Sequence, residues 1–518
     1  MRLRPDRASV LLTLAAVLHS WAVITLTPAW GLTTHAMIAA ASGAIALCCR
    51  WGLRRLRLQH RRRRWAGSLP EALLVLGSLL RAHRVPERAI GTVAATAPAI
   101  LTPTLARAEH APHTDGGSVL AALQEALSAQ AWTHPVCAQL RAAVDRADPG
   151  GFDRAERQVL AAERDRLHTA ADRLQTQLTA VFLLGVFGPL AAVGLLPAAS
   201  AGGLAVAPPT VAVIYHLWVP LGLLTGVLLI IVGPVGALHP PAPLEVPMGG
   251  LPRALLVGVS AGAAAGLVGH QVVPWAGPHL AVAVGVGVTA HVQTAPHLAG
   301  SHARTAIHTA LPDLMATLAA ALTAGGAPER AIAAAAAATP MGRVCMRVDT
   351  RLRAGASLSD ALAAAVATAP TTPRLQRWAV HYRVAAGLGT AGGPLCASVA
   401  GAWRAADAVR TEALHRLGGL IRMCTHTGVV VGPIIAGTTV AMLGALTETT
   451  LTGRPLTPQA AGPPVASTVL TIALLLPALG VLLERGRVGA VVVRQAGHAV
   501  ALAMVIFTIT VHLVGRLI

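Results

Sequence analysis

One five-residue stretch occurs twice in the chain, and it constrains the fold more than any other feature. Pro-Glu-Arg-Ala-Ile stands at 86–90 and again at 328–332, which is an offset of 242 residues (328 minus 86). The same offset joins further pairs of motifs: Leu69-Pro70 with Leu311-Pro312, Pro98 with Pro340, and Gly150-Gly151 with Gly392-Gly393. A register kept over this length predicts an internal duplication, so we expect two halves of like fold.

The composition is that of a membrane protein. The 518 residues are 54% hydrophobic, and their mean hydropathy is +0.61, which is too apolar for an ordinary soluble chain. The sequence contains no lysine, so all 41 basic residues are arginine. Because a P-loop requires its lysine to reach the nucleotide phosphates, the chain is not expected to be a P-loop ATPase.

Positive charge is concentrated near the N-terminus, next to apolar sequence. Residues 1–64 hold 11 arginines and one acid, Asp6, and most of these arginines follow an apolar segment directly. The positive-inside rule places such a cluster at the cytoplasmic edge of a membrane. Nucleic-acid binding would need an exposed basic face instead, so no nucleic-acid partner is expected.

Apolar segments of about 20 residues predict about nine transmembrane helices. They lie near 8–26, 32–49, 178–198, 211–238, 254–273, 279–294, 423–446, 466–483 and 499–514. This gives a cytoplasmic N-terminus and a C-terminus outside the cytoplasmic membrane. The predicted order is a transmembrane hairpin (1–64), a soluble domain (65–176), spans three to six (177–300), a second soluble domain (301–415) and spans seven to nine (416–518).

Both soluble regions show apolar residues at three- and four-residue spacing, with no alternating pattern that would predict strands. The expected fold is therefore all-α: a polytopic membrane protein with two duplicated cytoplasmic helical bundles. The first region carries 11 arginines against 12 acids, and the second carries 11 against 6. The copies thus differ in charge, at −1 and +5.

No set of residues in the sequence predicts catalysis, a metal site or a cofactor. The six cysteines form no CxxC pair and are expected as free thiols. Gly258 to Gly262 match GxSxG but lie inside an apolar span, where small residues serve helix packing. Ionisable residues in or beside the spans are interpreted as structural, although a functional role stays open: His216, His270, His291, His426, His498, Arg422 and Arg494.

The order of motifs in each half resembles the F-domain of type II secretion and type IV pilus systems. The first copy has Leu69-Pro70-Glu71, Leu79-Leu80-Arg81-Ala82, Pro86-Glu87-Arg88-Ala89, Ser118 to Leu123 and Gly150-Gly151; the second has Leu311-Pro312-Asp313, Ala324-Gly325-Gly326, Pro328-Glu329-Arg330-Ala331, Ser357 to Leu362 and Gly392 to Leu395. Two such domains in one chain look most like archaeal-type pilus or archaellum platforms, or like a fusion of paired tight-adherence subunits.

The resemblance implies a non-enzymatic membrane platform. Such a protein recruits a cytosolic hexameric secretion ATPase and passes its motion to pilin-like subunits in the lipid membrane. A homodimer is the simplest assembly on the axis of a hexamer.

The repeated motif itself has two interpretations. Proline at a first helical position followed by glutamate is a helix start, and this is the reading that we favour. The alternative is ATPase contact through Glu87, Arg88, Glu329 or Arg330. The charge of the second copy predicts that it lies near anionic lipid or an acidic partner surface, and adds Arg351 and Arg353 as candidate contacts.

A transporter built from parallel repeats is the rival function. Broken helices with polar groups at the midplane and short cytoplasmic loops would mark it. More than 100 soluble, helix-patterned residues interrupt each half here, which a transporter does not require. An occluded polar cavity lined by the histidines above would favour transport.

The predicted topology can be tested by thiol labelling. Cysteines introduced at Leu120 and Asp360, one in each soluble region, are expected to react with a membrane-impermeant reagent from the cytoplasmic side only. Labelling of the two positions from opposite sides of the membrane would contradict the parallel duplication.

Overall fold

Nearly all of the described part of the chain is helical. The computed structural model describes residues 72, 75–77, 79, 86–96, 149–201, 211, 215, 219–230, 251–338, 341–370, 372–449, 457–485 and 489–518. These residues contain no strand. The prediction of an all-α fold is therefore confirmed for them.

Fourteen α-helices lie within the described residues. In chain order they are α1 (Pro86–Thr96), α2 (Pro149–Phe182), α3 (Gly188–Ala201), α4 (Val219–Ile230), α5 (Leu251–Val272), α6 (Gly277–Thr323), α7 (Pro328–Ala338), α8 (Gly342–Arg353), α9 (Leu358–Thr368), α10 (Pro373–Gly387), α11 (Gly392–His426), α12 (Gly432–Thr449), α13 (Pro458–Arg485) and α14 (Ala490–Leu517). Glycines at positive φ, Gly325 and Gly355, follow the ends of α6 and α8, where residues with a Cβ would be strained.

The described residues contain six helical segments that are long and apolar enough to cross a membrane. They are Leu167–Ala192, Leu251–Val272, Gly300–Thr323, Gly389–Ala445, Pro458–Arg485 and Ala490–Leu517. Such a set fits a multi-pass membrane protein. Five of the segments overlap the third, fifth, seventh, eighth and ninth predicted spans. The first two predicted spans lie outside the described residues, and the fourth is described as helix only over Val219–Ile230. The count of nine stays a prediction.

The structure differs from the sequence prediction at the sixth span. Residues 279–294 open the 47-residue helix α6, which continues through Pro296 without ending. The apolar segment within α6 is Gly300–Thr323, in the region expected to be soluble. Its Leu311 and Leu318 are fully buried in a helical core, so the apolar composition of this segment serves protein packing.

The chain divides into two compact units. The first consists of Met1–His60, Thr169–Leu298 and Ala413–Ile518, and the second of Arg61–His168 and Ala299–Glu412. The residues of the second unit are largely those of the two predicted soluble domains. Within it, one hydrophobic core takes in residues from both halves of the chain, including Leu76 and Ile90 from the first half.

Glycines bring helices of the first unit into close contact. A Cβ on Gly262 of α5 would collide with the carbonyl oxygen of Ala281 on α6, and one on Gly266 would lie 2.7 Å from the Ala281 Cβ. On another face of α6, a Cβ on Gly287 would lie 2.9 Å from the carbonyl oxygen of Gly497 in α14. The packing role that the sequence predicts for Gly258 to Gly262 is thus confirmed.

A π-helical turn precedes a Gly-Pro pair in each half of the chain, Gly188-Pro189 and Gly432-Pro433. The turns are Leu183–Phe187 and Thr427–Val431, an offset of 244 residues (427 minus 183). In both, the next residue is glycine, and its N–H donates to the carbonyl five residues earlier. Because the following proline has no N–H, the regular α-helical ladder cannot continue there, and the wider turn accommodates the gap.

The glycine contact between α5 and α6 predicts a steric effect. We expect Gly262→Ala to lower the free energy of unfolding by about 1–3 kcal/mol, because close-packed backbone must move apart. Gly194→Ala is the matched control, since Gly194 lies in an apolar helix with nothing within 4 Å of its Cβ position. Thermal unfolding in detergent should show a lower midpoint for the first variant only; equal midpoints would contradict the contact.

Candidate functional site

The repeated motif forms the same helix in both halves. Helix α1 and helix α7 each begin at the motif proline and span 11 residues. The motif alanine and isoleucine are buried in both, as Ala89 and Ile90 and as Ala331 and Ile332. The helices contribute to one core. The apolar half of the motif therefore has a packing role.

The polar half of the motif is exposed where the structure describes it. Glu329 and Arg330 lie in the first turn of α7 with their side chains in solvent. Glu87 and Arg88 lie in the first turn of α1, and the structure does not describe their side chains. At the start of α7, the Tyr382 hydroxyl donates a hydrogen bond of 2.7 Å to the Pro328 carbonyl. Burial raises the pKa of Tyr382 well above its usual range, so it stays a neutral donor.

The two other predicted contact residues, Arg351 and Arg353, end helix α8 and are both exposed. Their surroundings differ, however. Arg353 pairs with Asp349 one turn earlier at 2.9 Å, whereas Arg351 forms no ion pair within the described residues. Residues two positions apart on an α-helix are about 200° apart around its axis. Arg351 and Arg353 therefore do not form a single surface.

Sequence reasoning missed two arginines on the same helix. Arg343 and Arg347 precede Arg351 at intervals of four and are likewise exposed. Four-residue spacing places all three on one side of α8. Cys345 lies on the opposite, buried face, where burial raises the pKa of its thiol to about 12. The signal in the sequence was the spacing 343, 347, 351.

An ion pair between a buried arginine and a partly exposed aspartate joins three helices of the second unit. Arg374 of α10 is 6% exposed, and its guanidinium contacts both carboxylate oxygens of Asp407 of α11 at 2.8 and 3.0 Å. It also donates to His308 of α6, to Nδ1 at 3.1 Å and to the carbonyl at 3.3 Å, and stacks over Trp403 at 5.1 Å. A histidine that accepts at Nδ1 is neutral, so the cluster holds one positive and one negative charge.

The histidines of the first unit do not converge on one site. His291 and His498 lie together, with Nδ1 and Nε2 2.9 Å apart, so that one imidazole donates to the other. His270 donates to the Pro274 carbonyl at 3.0 Å, which closes the end of α5. His426 ends α11 and is exposed. His216 lies outside the described residues.

Arg422 and Arg494 lie on different helices of the first unit. Arg422 is exposed on α11, and Arg494 is partly exposed on α14 one turn before His498. The Ser260 hydroxyl donates to the Leu256 carbonyl of its own helix at 2.9 Å, so the GxSxG match forms no nucleophile elbow. Among the described residues, no group of three or more His, Cys, Asp or Glu could hold a metal ion.

An open cavity of about 530 Å³ lies in the second unit between α6 and α11. Six alanines line it together with Thr323 and Arg404. None of the histidines considered above lines this cavity. The one charged side chain in its walls, Arg404, pairs with Asp313 at 2.9 Å. The cavity therefore offers little chemistry for a small polar substrate.

Comparison of the chain with protein-family models, with curated proteins and with solved structures finds no match in any of the three. The function is accordingly argued from the residues and contacts of this chain.

The Arg374–Asp407 ion pair predicts an unequal effect of two similar substitutions. Asp407→Asn leaves Arg374 buried and without its carboxylate, so we expect a loss of about 2–3 kcal/mol in the free energy of unfolding. Asp313→Asn breaks a pair whose side chains are 70% and 52% exposed, and should cost less than about 1 kcal/mol. Denaturant unfolding monitored by tryptophan fluorescence measures both; equal losses would show that Arg374 is not buried in solution.

Proposed function

We propose that the chain is a membrane platform protein of a type II secretion or type IV pilus-like machine. It couples a cytosolic hexameric secretion ATPase to the assembly of pilin-like subunits or to secretion. The protein has no catalytic centre of its own in this proposal. It lies in the cytoplasmic membrane as a multi-pass protein, with its N-terminus in the cytoplasm and its C-terminus outside.

The observation that carries the proposal is the repeated helix in a shared core. Helices α1 and α7 start at equivalent prolines, have equal length and bury the same alanine and isoleucine. Both helices contribute to the hydrophobic core of the second unit. This supports two duplicated F-domain-like bundles, each of which needs the other to complete its core.

The membrane part supports the same duplication. The π-helical turns before Gly188-Pro189 and Gly432-Pro433 have equal length and nearly the same offset as the motif. Independent helices would have no reason to share this irregularity at matched positions. The apolar segments other than Gly300–Thr323 provide the membrane anchorage that a platform needs, and nine spans remain the full expectation.

The contacts of the second unit favour a binding role over transport. Its polar groups are divided between internal pairs, such as Arg374 with Asp407, and exposed arginines on α8. An intramembrane substrate site would instead gather polar groups within the first unit. There, His291 pairs with His498, and His270 donates to the Pro274 carbonyl just beyond its own helix. In this proposal the second unit is the cytoplasmic face that receives the ATPase.

Affinity purification from native membranes tests this function. A tagged full-length chain, solubilised in mild detergent with a non-hydrolysable ATP analogue, is expected to co-purify with a hexameric ATPase and with small pilin-like subunits. Deletion of the gene should abolish a surface filament or a secreted product, and the wild-type gene should restore it.

Two results together would contradict the platform role. One is purification of the intact protein with neither ATPase nor pilin-like subunits. The other is a deletion strain with unchanged filaments and secretion. Substrate uptake lost in that strain would favour the transporter instead.

A further inference from the structure

Helix α8 presents a row of arginines that nothing in the described chain neutralises. Arg343, Arg347 and Arg351 are exposed on one side of the helix, while Val344 and Val348 are buried on the other. Successive arginines are about 6 Å apart along the axis. We call these three residues the arginine row.

No described acid forms an ion pair with the row: Asp360 of α9 accepts a hydrogen bond from Ser357, and Glu329 of α7 is exposed. Asp349, on α8 itself, pairs with Arg353 at 2.9 Å. Elsewhere in the second unit, Asp313, Asp407 and Glu412 pair with Arg404, Arg374 and Arg164. Arg347 donates only to the hydroxyl and carbonyl oxygens of Thr368, at 3.2 and 3.3 Å. The row therefore keeps three unneutralised positive charges.

This arrangement destabilises the helix that carries it. Like charges four residues apart repel each other on a helix surface. Arg343 is the second residue of α8, where a positive charge opposes the helix dipole, and no side chain caps this end. A negatively charged partner along the row would relieve both effects.

We propose that the arginine row binds an acidic helical segment of a cytosolic protein partner. Carboxylates spaced by four on such a helix match the row in spacing and number, and arginine favours bidentate pairing with carboxylate. Met346, 60% exposed beside the row, supplies an adaptable apolar contact. The assignment of this partner as the secretion ATPase rests on the proposed function. Its acidic character is inferred from the arginine row alone.

A lipid surface fits the row less well than a protein does. A helix that lies in a membrane interface combines basic residues with a broad apolar face that enters the acyl region. The apolar face of α8 is buried in the protein core, and Met346 is its one large exposed apolar side chain. The helix thus carries positive charge that suits lipid headgroups, but it has little exposed apolar surface to insert into the acyl region.

The row belongs to one half of the chain only. The positions 242 residues earlier are Leu101, Leu105 and Glu109, and they carry no arginine. The first half therefore lacks an equivalent positive row at these positions. One chain would bind one acidic segment, even though its domains are duplicated.

Peptide binding tests the acidic-helix assignment. The probe is a fluorescent synthetic peptide of alanine with glutamate at every fourth position, and the protein is the full chain in phosphatidylcholine nanodiscs. Fluorescence anisotropy should show binding that weakens as salt is raised. A triple variant, R343Q/R347Q/R351Q, should lose about tenfold or more in affinity, as expected for three exposed charge pairs.

The control variant removes equal charge elsewhere on the second unit. R154Q/R383Q/R404Q changes three exposed arginines outside the row and should lose less than about threefold. Equal losses in the two triple variants would overturn the proposal, as would equal binding of a peptide with its glutamates scrambled. If R343Q/R347Q/R351Q unfolds at a lower temperature than wild type, the single variant R351Q is compared with R383Q in the same assay.

Two further arms separate the alternatives. Row-dependent binding to vesicles of equimolar phosphatidylcholine and phosphatidylserine, without peptide binding, would assign the row to lipid and overturn the proposal. In native membranes, loss of ATPase co-purification in R343Q/R347Q/R351Q alone supports the row as its docking surface. ATPase retention in that variant would overturn the row but leave the platform function intact. Row-dependent peptide binding by a chain that recruits no ATPase would support the row and contradict the platform function.

Discussion

A single apolar core in the second unit, built from both halves of the chain, is the constraint on which the rest of the molecule depends. Ile90 and Ile332 are completely buried in it, although 242 residues separate them. Burial of one such side chain contributes about 1.5–3 kcal/mol. Loop-closure entropy grows only slowly with the length of chain between two contacts, so a core shared across this distance is thermodynamically affordable. Residues of both halves therefore contribute to one buried core.

The first unit is held together by a different principle. Lipid tails are as apolar as leucine, so helices in a membrane associate through close packing rather than through burial from water. The glycines of α5, α6 and α14 permit this packing, since a Cβ at Gly262 or Gly287 would meet backbone atoms of the facing helix. The Tyr215 hydroxyl, which donates to the Pro189 carbonyl at 3.0 Å, adds a buried hydrogen bond between segments. Specific polar contacts supplement the packing, and they do not replace it.

The sequence allows prediction of features that depend on neighbouring residues. Proline at a helix start locates α1 and α7, and a four-residue glycine spacing locates the packed face of α5, because both effects act within one or two turns. Tertiary contacts decide the remainder. The predicted sixth span ends near residue 294, yet α6 continues through Pro296 because its later turns pack in a core. The Arg374–Asp407 pair joins residues 33 positions apart and leaves no local pattern. In the candidate site, charge alone selected Arg351 and Arg353, whereas helical geometry groups Arg351 with Arg343 and Arg347.

Three described helices contain residues of both units. Within the described residues, the chain passes from one unit to the other at 168/169, 298/299 and 412/413, and these positions lie within α2, α6 and α11. In α2 and α11 the π-helical turn begins 14 residues after the crossing (183 minus 169, and 427 minus 413). Helices bend most readily where the regular ladder is interrupted. The two π-helical turns are therefore matched positions of the duplicated halves at which the helices that follow α2 and α11 can change direction.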